Sequence, residues 1–181
     1  VSGRESLAPH ITRLTLTPAE PFSYRAGQFV NIRRNDGLTR SYSIASIPED
    51  GDQIDLHVKS LPHGEMSNWV SESASFGAQL EIQGPNGDCY YLTDAPDQPL
   101  LLIGNGAGLA PLIAIAREAL RSGHTGQIHL YHGSRHAEGL YLQDDLVRIA
   151  AERENFHYAP CVSGPDARAE HGAGRAEDIA F

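Results

Sequence analysis

A cation, a phenol and small hydroxyls stand close together in residues 39–44, which read Thr-Arg-Ser-Tyr-Ser-Ile. If this segment is a strand, alternation sends Arg40, Tyr42 and Ile44 to one face and Ser41 and Ser43 to the other. A guanidinium can bind phosphates through paired hydrogen bonds, while a ring and a hydroxyl contact the body of a planar ligand. These residue types indicate a flavin site, although so short a pattern also fits an exposed arginine on an ordinary strand.

A second candidate site lies at the start of a predicted short helix, residues 64–70. Gly64 precedes the helix, and Ser67 lies within its first turn. Free backbone N–H groups and the positive end of the helix dipole make such a start a site for anions, to which Ser67 can add a donor. The alternative is a plain helix start in which Met66, Trp69 and Val70 belong to the core.

The third element joins an apolar run at 99–103 to the loop Gly-Asn-Gly-Ala-Gly-Leu-Ala-Pro at 104–111 and to an apolar-periodic segment beyond it. This order predicts a strand, a turn and a helix. Pro111 suits the first helical turn, and Gly123 ends the helix. The glycines let the backbone approach a pyrophosphate at the helix N-terminus, although their spacing differs from the standard dinucleotide fingerprint.

Taken in order, the three elements resemble the ferredoxin–NADP reductase superfamily, and the resemblance covers nearly the whole chain. Residues 40–43 match its Arg-x-Tyr-Ser flavin motif, and residues 64–67 match its Gly-x-x-Ser pyrophosphate motif. Residues 104–111 match its nucleotide loop, in which Asn105 replaces the usual threonine. Within the family, the chain is most similar to the reductase components of bacterial oxygenases and their relatives, in which a plant-type 2Fe–2S domain often precedes the flavin domain.

The resemblance implies an oxidoreductase that transfers hydride from NAD(P)H to bound FAD. Single electrons then pass to a 2Fe–2S ferredoxin-like protein or fused domain, with an oxygenase component among the partners. Arg40 would clamp the FAD pyrophosphate, while Tyr42 and Ser43 would be catalytic, Tyr42 packing on the flavin and Ser43 hydrogen-bonding near its N5 atom. The other implied cofactor-binding positions are Ser41, His57, Val58, Lys59, Gly64, Met66, Ser67, Gly104, Asn105, Gly106, Gly108, Ala110 and Pro111. FMN stays open as an alternative to FAD.

Ser134 and Arg135 follow the second predicted parallel strand, where dinucleotide domains contact the adenosine ribose. An acidic residue there binds the ribose hydroxyls of NAD, whereas an arginine accommodates the 2′-phosphate of NADP. No Asp or Glu is present at that strand end, so we expect both residues to contact the nucleotide and NADPH to be preferred modestly over NADH. Arg135 fits a solvated loop cation equally well.

Composition narrows the class of protein. The chain has 181 residues, is 40% hydrophobic and 20% charged, and carries a formal net charge of −9 at pH 7. The negative charge disfavours nucleic acid or an anionic membrane as a partner. No apolar run approaches the ~18 residues of a spanning helix, and the start lacks the features of a signal peptide. We therefore expect a cytoplasmic protein.

Cysteine and histidine usage argues against a metal centre within the chain. Cys89 and Cys161 are the only cysteines, too few for a four-cysteine iron–sulfur cluster, so any such cluster lies elsewhere. We expect Cys161 to be a buried structural thiol. His129 and His132 point to opposite faces of a predicted strand, so no metal site is expected there.

Hydrophobic patterning predicts two domains. Alternating segments at 11–16, 29–33, 40–44, 54–58 and 80–82 indicate an antiparallel Greek-key flavin-binding β-barrel over residues 1–96. Strands at 100–103, 128–132 and 156–162 then alternate with helices that end at 122 and span 142–154. This pattern is typical of a Rossmann-like parallel-sheet nucleotide-binding domain, residues 97–181. With about three strands the sheet is short, so we expect both ends of the chain to be cut and this domain to be incomplete.

Two other classes of function fit the same motifs. One is a non-catalytic flavin- and nucleotide-binding module that regulates or wires a larger complex. The other is a nucleotide sensor that has lost its flavin. The intact set of Arg40, Tyr42 and Ser43 favours the enzyme, whereas the short second domain favours the module.

Overall fold

Six antiparallel strands form the first half of the protein in the computed structural model, which describes residues 1–181. Their bounds are Gly3–Ala8 (β1), Ile11–Leu16 (β2), Phe29–Arg33 (β3), Thr39–Ser43 (β4), Ile54–Lys59 (β5) and Glu81–Asn86 (β6). They form two three-stranded sheets with the orders β1-β2-β5 and β4-β3-β6. A bridge between Ile44 and Leu56 joins the sheets on one side, and on the other the Gly77 N–H donates to the Val1 carbonyl at 2.9 Å. The sheets therefore close into a barrel.

Alternation along the strands places apolar side chains inside this barrel. Leu14 pairs with Leu56 across β2 and β5, and both are fully buried beside Val30 of β3. Helix α1, Glu65–Glu72, adds Met66 to the same cluster. Burying each such side chain stabilises the fold by about 1.5–3 kcal/mol.

Four parallel strands form the sheet of the second half, in the order β10-β9-β8-β7. Their bounds are Leu100–Asn105 (β7), Ile128–Ser134 (β8), Phe156–Val162 (β9) and Gly172–Ala173 (β10). Helices α2 (Leu109–Arg121), α3 (Gln143–Glu152) and α4 (Ala176–Ala180) pack against them. One core cluster joins α2 to the sheet through Leu109, Ile113, Leu130 and Phe156.

The two halves share an interface with apolar and ionic contacts. Ile11 of β2 belongs to the core cluster of the second half. A Cβ atom on Gly27 would lie 2.8 Å from Ile115, so the barrel backbone approaches α2 closely. Arg117 of α2 donates two hydrogen bonds to the Asp50 carboxylate, at 2.8 and 2.6 Å. These contacts hold α2, which begins at the glycine loop, against the barrel.

The predicted antiparallel barrel followed by a parallel sheet with helices is confirmed, with three local differences. Strand β1 was not expected because its exposed positions do not alternate with apolar ones. Strand β6 runs to Asn86 instead of ending at 82, because the pairing shifts between Phe29 and Asn31, and such a bulge tolerates the proline at 85. Strand β10 is too short for any pattern to indicate it. None of the helices has the length and apolar character needed to cross a bilayer.

Candidate functional site

Strand β4 carries the first motif. Pairing with β3 sets Arg40 opposite Ile32 and Tyr42 opposite Val30, so the two side chains share one face as the alternation predicts. The Arg40 guanidinium is exposed, forms no ion pair, and makes one hydrogen bond, from Nη1 to the Thr39 carbonyl at 2.7 Å. Its remaining donors are free for a phosphate.

The other residues of the motif differ in accessibility. Tyr42 is half-buried against the barrel core, and burial raises the pKa of its hydroxyl, so the ring stays neutral. Ser41 lies on the opposite face, where its hydroxyl donates to the Asn31 side chain at 2.6 Å. Ser43 is half-buried on that same face, opposite Phe29. The side chains of Ser41 and Ser43 therefore do not join Arg40 and Tyr42 on one surface.

The second turn of α1 is close to the β3–β4 hairpin, because the Arg34 guanidinium lies 5.9 Å from the Trp69 ring centroid. The first N–H of this helix to donate to the preceding backbone is that of Asn68, to the Gly64 carbonyl at 2.8 Å. The N–H groups of residues 65–67 are left for another acceptor, as at any helix start without a side-chain cap. Like the free donors of Arg40, these N–H groups suit a phosphate.

Two side chains of this motif have structural roles instead. The Ser67 hydroxyl donates to the Gly64 carbonyl at 3.1 Å and accepts from the Leu61 N–H at 3.2 Å, so its proton is already used. Met66 is 2% exposed and lies in the barrel core. The expected contribution of Ser67 as a phosphate donor therefore has no support, and Met66 offers only its backbone N–H.

The glycine loop connects β7 to α2 through a 3₁₀ turn at Gly106–Gly108. A Cβ atom on Gly104 would lie 2.7 Å from Leu112, and Gly106 has a left-handed φ of +53°, so both positions favour glycine. A Cβ atom on Gly108 would meet nothing within 4 Å. The loop therefore packs against α2 at Gly104 and leaves open space at Gly108, as a nucleotide-binding loop requires. Ala110 is buried and Pro111 lies in the first turn of α2, behind the loop.

Asn105, the position that departs from the family loop, has a contact that sequence reasoning missed. Its side-chain amide donates to the Glu177 carboxylate at 3.1 Å, and this hydrogen bond brings α4 to the loop. The Glu177 backbone N–H, and then Asn105, lower the pKa of that carboxyl, so it is ionised at neutral pH.

Strand β5 presents its three predicted cofactor residues to three different places. Val58 is fully buried inside the barrel, so its side chain is a core residue. Lys59 is exposed, and its Nζ atom lies 3.5 Å from where a Cβ on Gly106 would be. His57 is 6% exposed and faces the second half, where its Nδ1 atom lies 3.1 Å from the Tyr141 hydroxyl. Only Lys59 therefore has a side chain that is free to meet a cofactor.

His57 belongs to a buried cluster of rings that the sequence did not reveal, because its members are far apart along the chain. The Tyr141 ring packs edge-on against His57 and His132, with centroid distances of 5.2 and 5.3 Å. The Nδ1 atom of His132 lies 3.4 Å from the Tyr158 hydroxyl. Burial lowers the pKa of His57 to about 3 and that of His132 to about 4, so both rings are neutral at pH 7.

Ser134 and Arg135, which we expect to contact the adenosine ribose, lie at the carboxyl end of β8. Ser134 ends β8 half-buried, and Arg135 is exposed without an ion pair. From the loop after β9, the Asp166 carboxylate accepts from the Ala137 N–H at 2.8 Å and contacts His136 Nδ1 at 3.1 Å. The fold therefore brings an acid beside a strand end at which the sequence has none, and this weakens the argument for NADPH.

The Cys161 thiol and the His129 imidazole do not belong to a common site. Cys161 is fully buried in β9, and burial raises the pKa of its thiol. His129 stacks on His157, with a centroid distance of 4.7 Å, on the sheet face opposite to His132. No group of three or more His, Cys, Asp or Glu side chains is placed to hold a metal ion.

An antiparallel barrel followed by a parallel sheet, with a glycine loop at the start of its first helix, is typical of flavin- and nucleotide-binding oxidoreductases. Family models agree: an oxidoreductase FAD-binding domain matches residues 3–91, and an oxidoreductase NAD-binding domain matches residues 102–180. The chain belongs to the ferredoxin–NAD(P) reductase family of flavin oxidoreductases.

Several bacterial reductases are similar to this chain. A Ralstonia reductase component of naphthalene 1,2-dioxygenase/salicylate 5-hydroxylase systems is 36% identical over 81% of this chain and 44% of its own length. A probable flavin reductase of Vibrio harveyi is 34% identical over 86% of this chain and 68% of its own length. The crystal structure of the Amycolatopsis reductase GcoB superposes with a TM-score of 0.90 at 31% identity, covering 98% of this chain and 54% of that one. The chain thus spans about half the length of most of these relatives.

Proposed function

We propose that the protein transfers hydride from NAD(P)H to bound FAD and passes single electrons to an iron–sulfur acceptor, a 2Fe–2S ferredoxin-like protein or a domain of the same enzyme. Bound FAD would supply the conversion between two-electron and one-electron chemistry. The protein's own residues bind the two cofactors, orient them and exclude water between them.

Each named residue has one task in this proposal. Arg40 and the first-turn N–H groups of α1 neutralise the diphosphate, and the neutral Tyr42 ring covers the flavin. Gly104 and Gly106 shape the nucleotide loop, while Gly108 leaves room for the nucleotide.

One observation carries the proposal: the contact between β5 and the glycine loop. Lys59, on the strand beside the flavin motif, reaches Gly106 on the nucleotide side. Hydride transfer needs its reacting atoms within about 3–3.5 Å, so the flavin and nicotinamide sites must adjoin. The contact between the end of β5 and the glycine loop supports that arrangement.

Anaerobic mixing of the FAD-loaded protein with NADH or NADPH tests the transfer, because reduction bleaches the flavin absorbance. Reduction by dithionite without reduction by either nucleotide would contradict the proposal. Arg40→Ala should weaken FAD binding by about tenfold or more, because a charge-assisted contact contributes about 1.5–3 kcal/mol. Arg33→Ala is the matched control, since that arginine lies on the same hairpin and pairs with Glu81 at 3.6 Å.

The acceptor is the second part of the proposal. Its support comes from the relatives, which are named as reductase components of oxygenase systems. By analogy with these relatives, the acceptor would be a cytoplasmic iron–sulfur protein that serves an oxygenase component. Reduced protein should then pass electrons to a purified 2Fe–2S ferredoxin, and a rate no greater than that of free reduced flavin would contradict this step.

A further inference from the structure

Tyr141 connects the barrel to the nucleotide domain through a hydrogen bond that none of the three sequence motifs predicts. It lies just before α3 and is 2% exposed, and the partner of its hydroxyl is His57 of the barrel, at 3.1 Å. A tyrosine buried in its own domain would satisfy its hydroxyl there. Here the bond crosses the domain boundary instead.

Both imidazoles that Tyr141 touches lie next to the glycine loop. His57 is two residues before Lys59, which reaches Gly106. His132 pairs with Gly104 in the register of β7 and β8. The Tyr141 ring, packed edge-on against both imidazoles, therefore lies between the strand beside the flavin motif and the base of the nucleotide loop.

Two features show that this arrangement is held against a local cost. Leu142, directly after Tyr141, has a left-handed φ of 55°, which a leucine adopts only when its surroundings impose it. The Nε2 atom of His132 is buried and makes no hydrogen bond of good geometry, although the Gly106 backbone lies near enough to raise the pKa of the ring, and native proteins seldom keep so poorly satisfied an atom. An apolar side chain in place of His132 would avoid burying this nitrogen atom.

The bond also differs in kind from the ion pairs across the interface, which are Arg117–Asp50 and Arg121–Glu49. Arg117 and Asp50 form a half-exposed ion pair, which salt screens. Burial keeps His57 neutral and raises the pKa of Tyr141, so their bond joins two uncharged groups. Its geometry is therefore insensitive to ionic strength.

We propose that Tyr141 is a positioning residue for hydride transfer, which holds the nucleotide loop at a set distance from β5 through His57 and His132. Tyr141 touches no reacting atom and acts through the loop. This inference rests on the proposed reductase function.

Tyr141→Phe tests the inference because it removes the hydroxyl and keeps the ring. The matched control is Tyr91→Phe, since the Tyr91 hydroxyl lies 3.1 Å from His124 Nδ1 in a similar edge-on pair beyond the far end of α2. With FAD bound, Tyr141→Phe should slow flavin reduction by NAD(P)H by roughly tenfold or more, because small misplacements of reacting groups are costly. The FAD dissociation constant should stay within twofold, and Tyr91→Phe should keep the wild-type rate.

Hydrogen exchange provides a readout that does not depend on turnover. Backbone amides at 104–108 should exchange at least several-fold faster in Tyr141→Phe than in wild type or Tyr91→Phe. His57→Leu should also speed exchange at 104–108. His57→Asn, which keeps a polar atom near the Nδ1 position, should exchange at close to the wild-type rate. If Tyr141→Phe cannot be purified folded, the two His57 variants carry the test alone.

The possible results separate the two proposals. Wild-type exchange at 104–108 in both Tyr141→Phe and His57→Leu would overturn the positioning role, whatever the activity. Equal effects of Tyr141→Phe and Tyr91→Phe would also overturn it, because the effect would then be general destabilisation. A wild-type protein that NAD(P)H cannot reduce would refute the reductase function, while the exchange result would still decide whether Tyr141 holds the loop.

Discussion

Lowering the pH from 7 to 5 is expected to destabilise the protein through two buried imidazoles, His57 and His132. Burial lowers their pKa values to about 3 and about 4 in the folded protein, against 6.5 when they are exposed on unfolding. Between these values the unfolded chain binds protons that the folded protein does not, so stability falls as the pH falls from about 6.5. The stabilising effect of the neutral rings is complete above this range.

The size of the stability loss follows from the difference between the pH and the pKa of an exposed imidazole. At pH 5 an exposed imidazole is about 1.5 pH units below its pKa, which corresponds to about 2 kcal/mol for each ring, or about 4 kcal/mol for the two. That is a large part of the ~5–15 kcal/mol of a typical domain. Carboxyl groups such as Asp166, whose pKa is lowered chiefly by the Ala137 N–H, add little here because their exposed value is 3.8.

Urea unfolding at pH 7 and pH 5 measures the loss. His57→Phe should cut the loss by about half, whatever it does to stability at pH 7. The control is Val147→Ala, because that side chain is exposed on α3 and does not ionise, so its replacement should leave the pH dependence unchanged. An identical loss in wild type and His57→Phe, or an NMR titration of His57 with a midpoint near 6.5, would refute the reasoning.

Further perturbations probe the loop, the interface and the donor. Gly108→Ala should weaken nucleotide binding without changing the free energy of unfolding, since its Cβ enters the open space of the loop. Gly106→Ala should lower the free energy of unfolding in urea by about 1 kcal/mol because Gly106 has a left-handed φ. Loss of stability in Gly108→Ala with normal nucleotide binding would contradict a nucleotide site at this loop. Arg117→Met should cost no more than about 1 kcal/mol at low salt and almost nothing at 1 M salt, as titrations with and without salt would show, since its pair with Asp50 is half-exposed. Arg135→Ala should lower kcat/KM for NADPH more than for NADH, and equal losses would leave Arg135 as a solvated cation.

Hydrophobic patterns predicted the strands and helices whose own sequence shows which side is buried. The alternation in Ile54, Leu56 and Val58 predicted β5, and all three side chains are buried in the barrel. The apolar run before the loop at 104–111 predicted β7 and α2. Strand β1 was missed because its pairing with β2, and not its own composition, makes it a strand.

The candidate site was less predictable because its contacts join distant residues. Motif spacing placed Arg40, Tyr42 and the glycine loop on the right elements. It could not reveal that the Ser67 proton is used by Gly64, since that depends on the local turn. Nor could it show that Asp166 lies beside the end of β8, thirty residues away along the chain from its contact with His136. The Asp166 contacts exist only after the second sheet has assembled.

Strand β5 has almost no solvent-facing side. Leu56 and Val58 fill the barrel, and His57 between them lies in the interface with the second half. A slip of one residue in its pairing with β2 would push an imidazole into the barrel core and an aliphatic side chain against Tyr141. The pairing of β5 with β2 therefore sets two things together, since the register that fills the barrel with Leu56 and Val58 also places His57 against Tyr141.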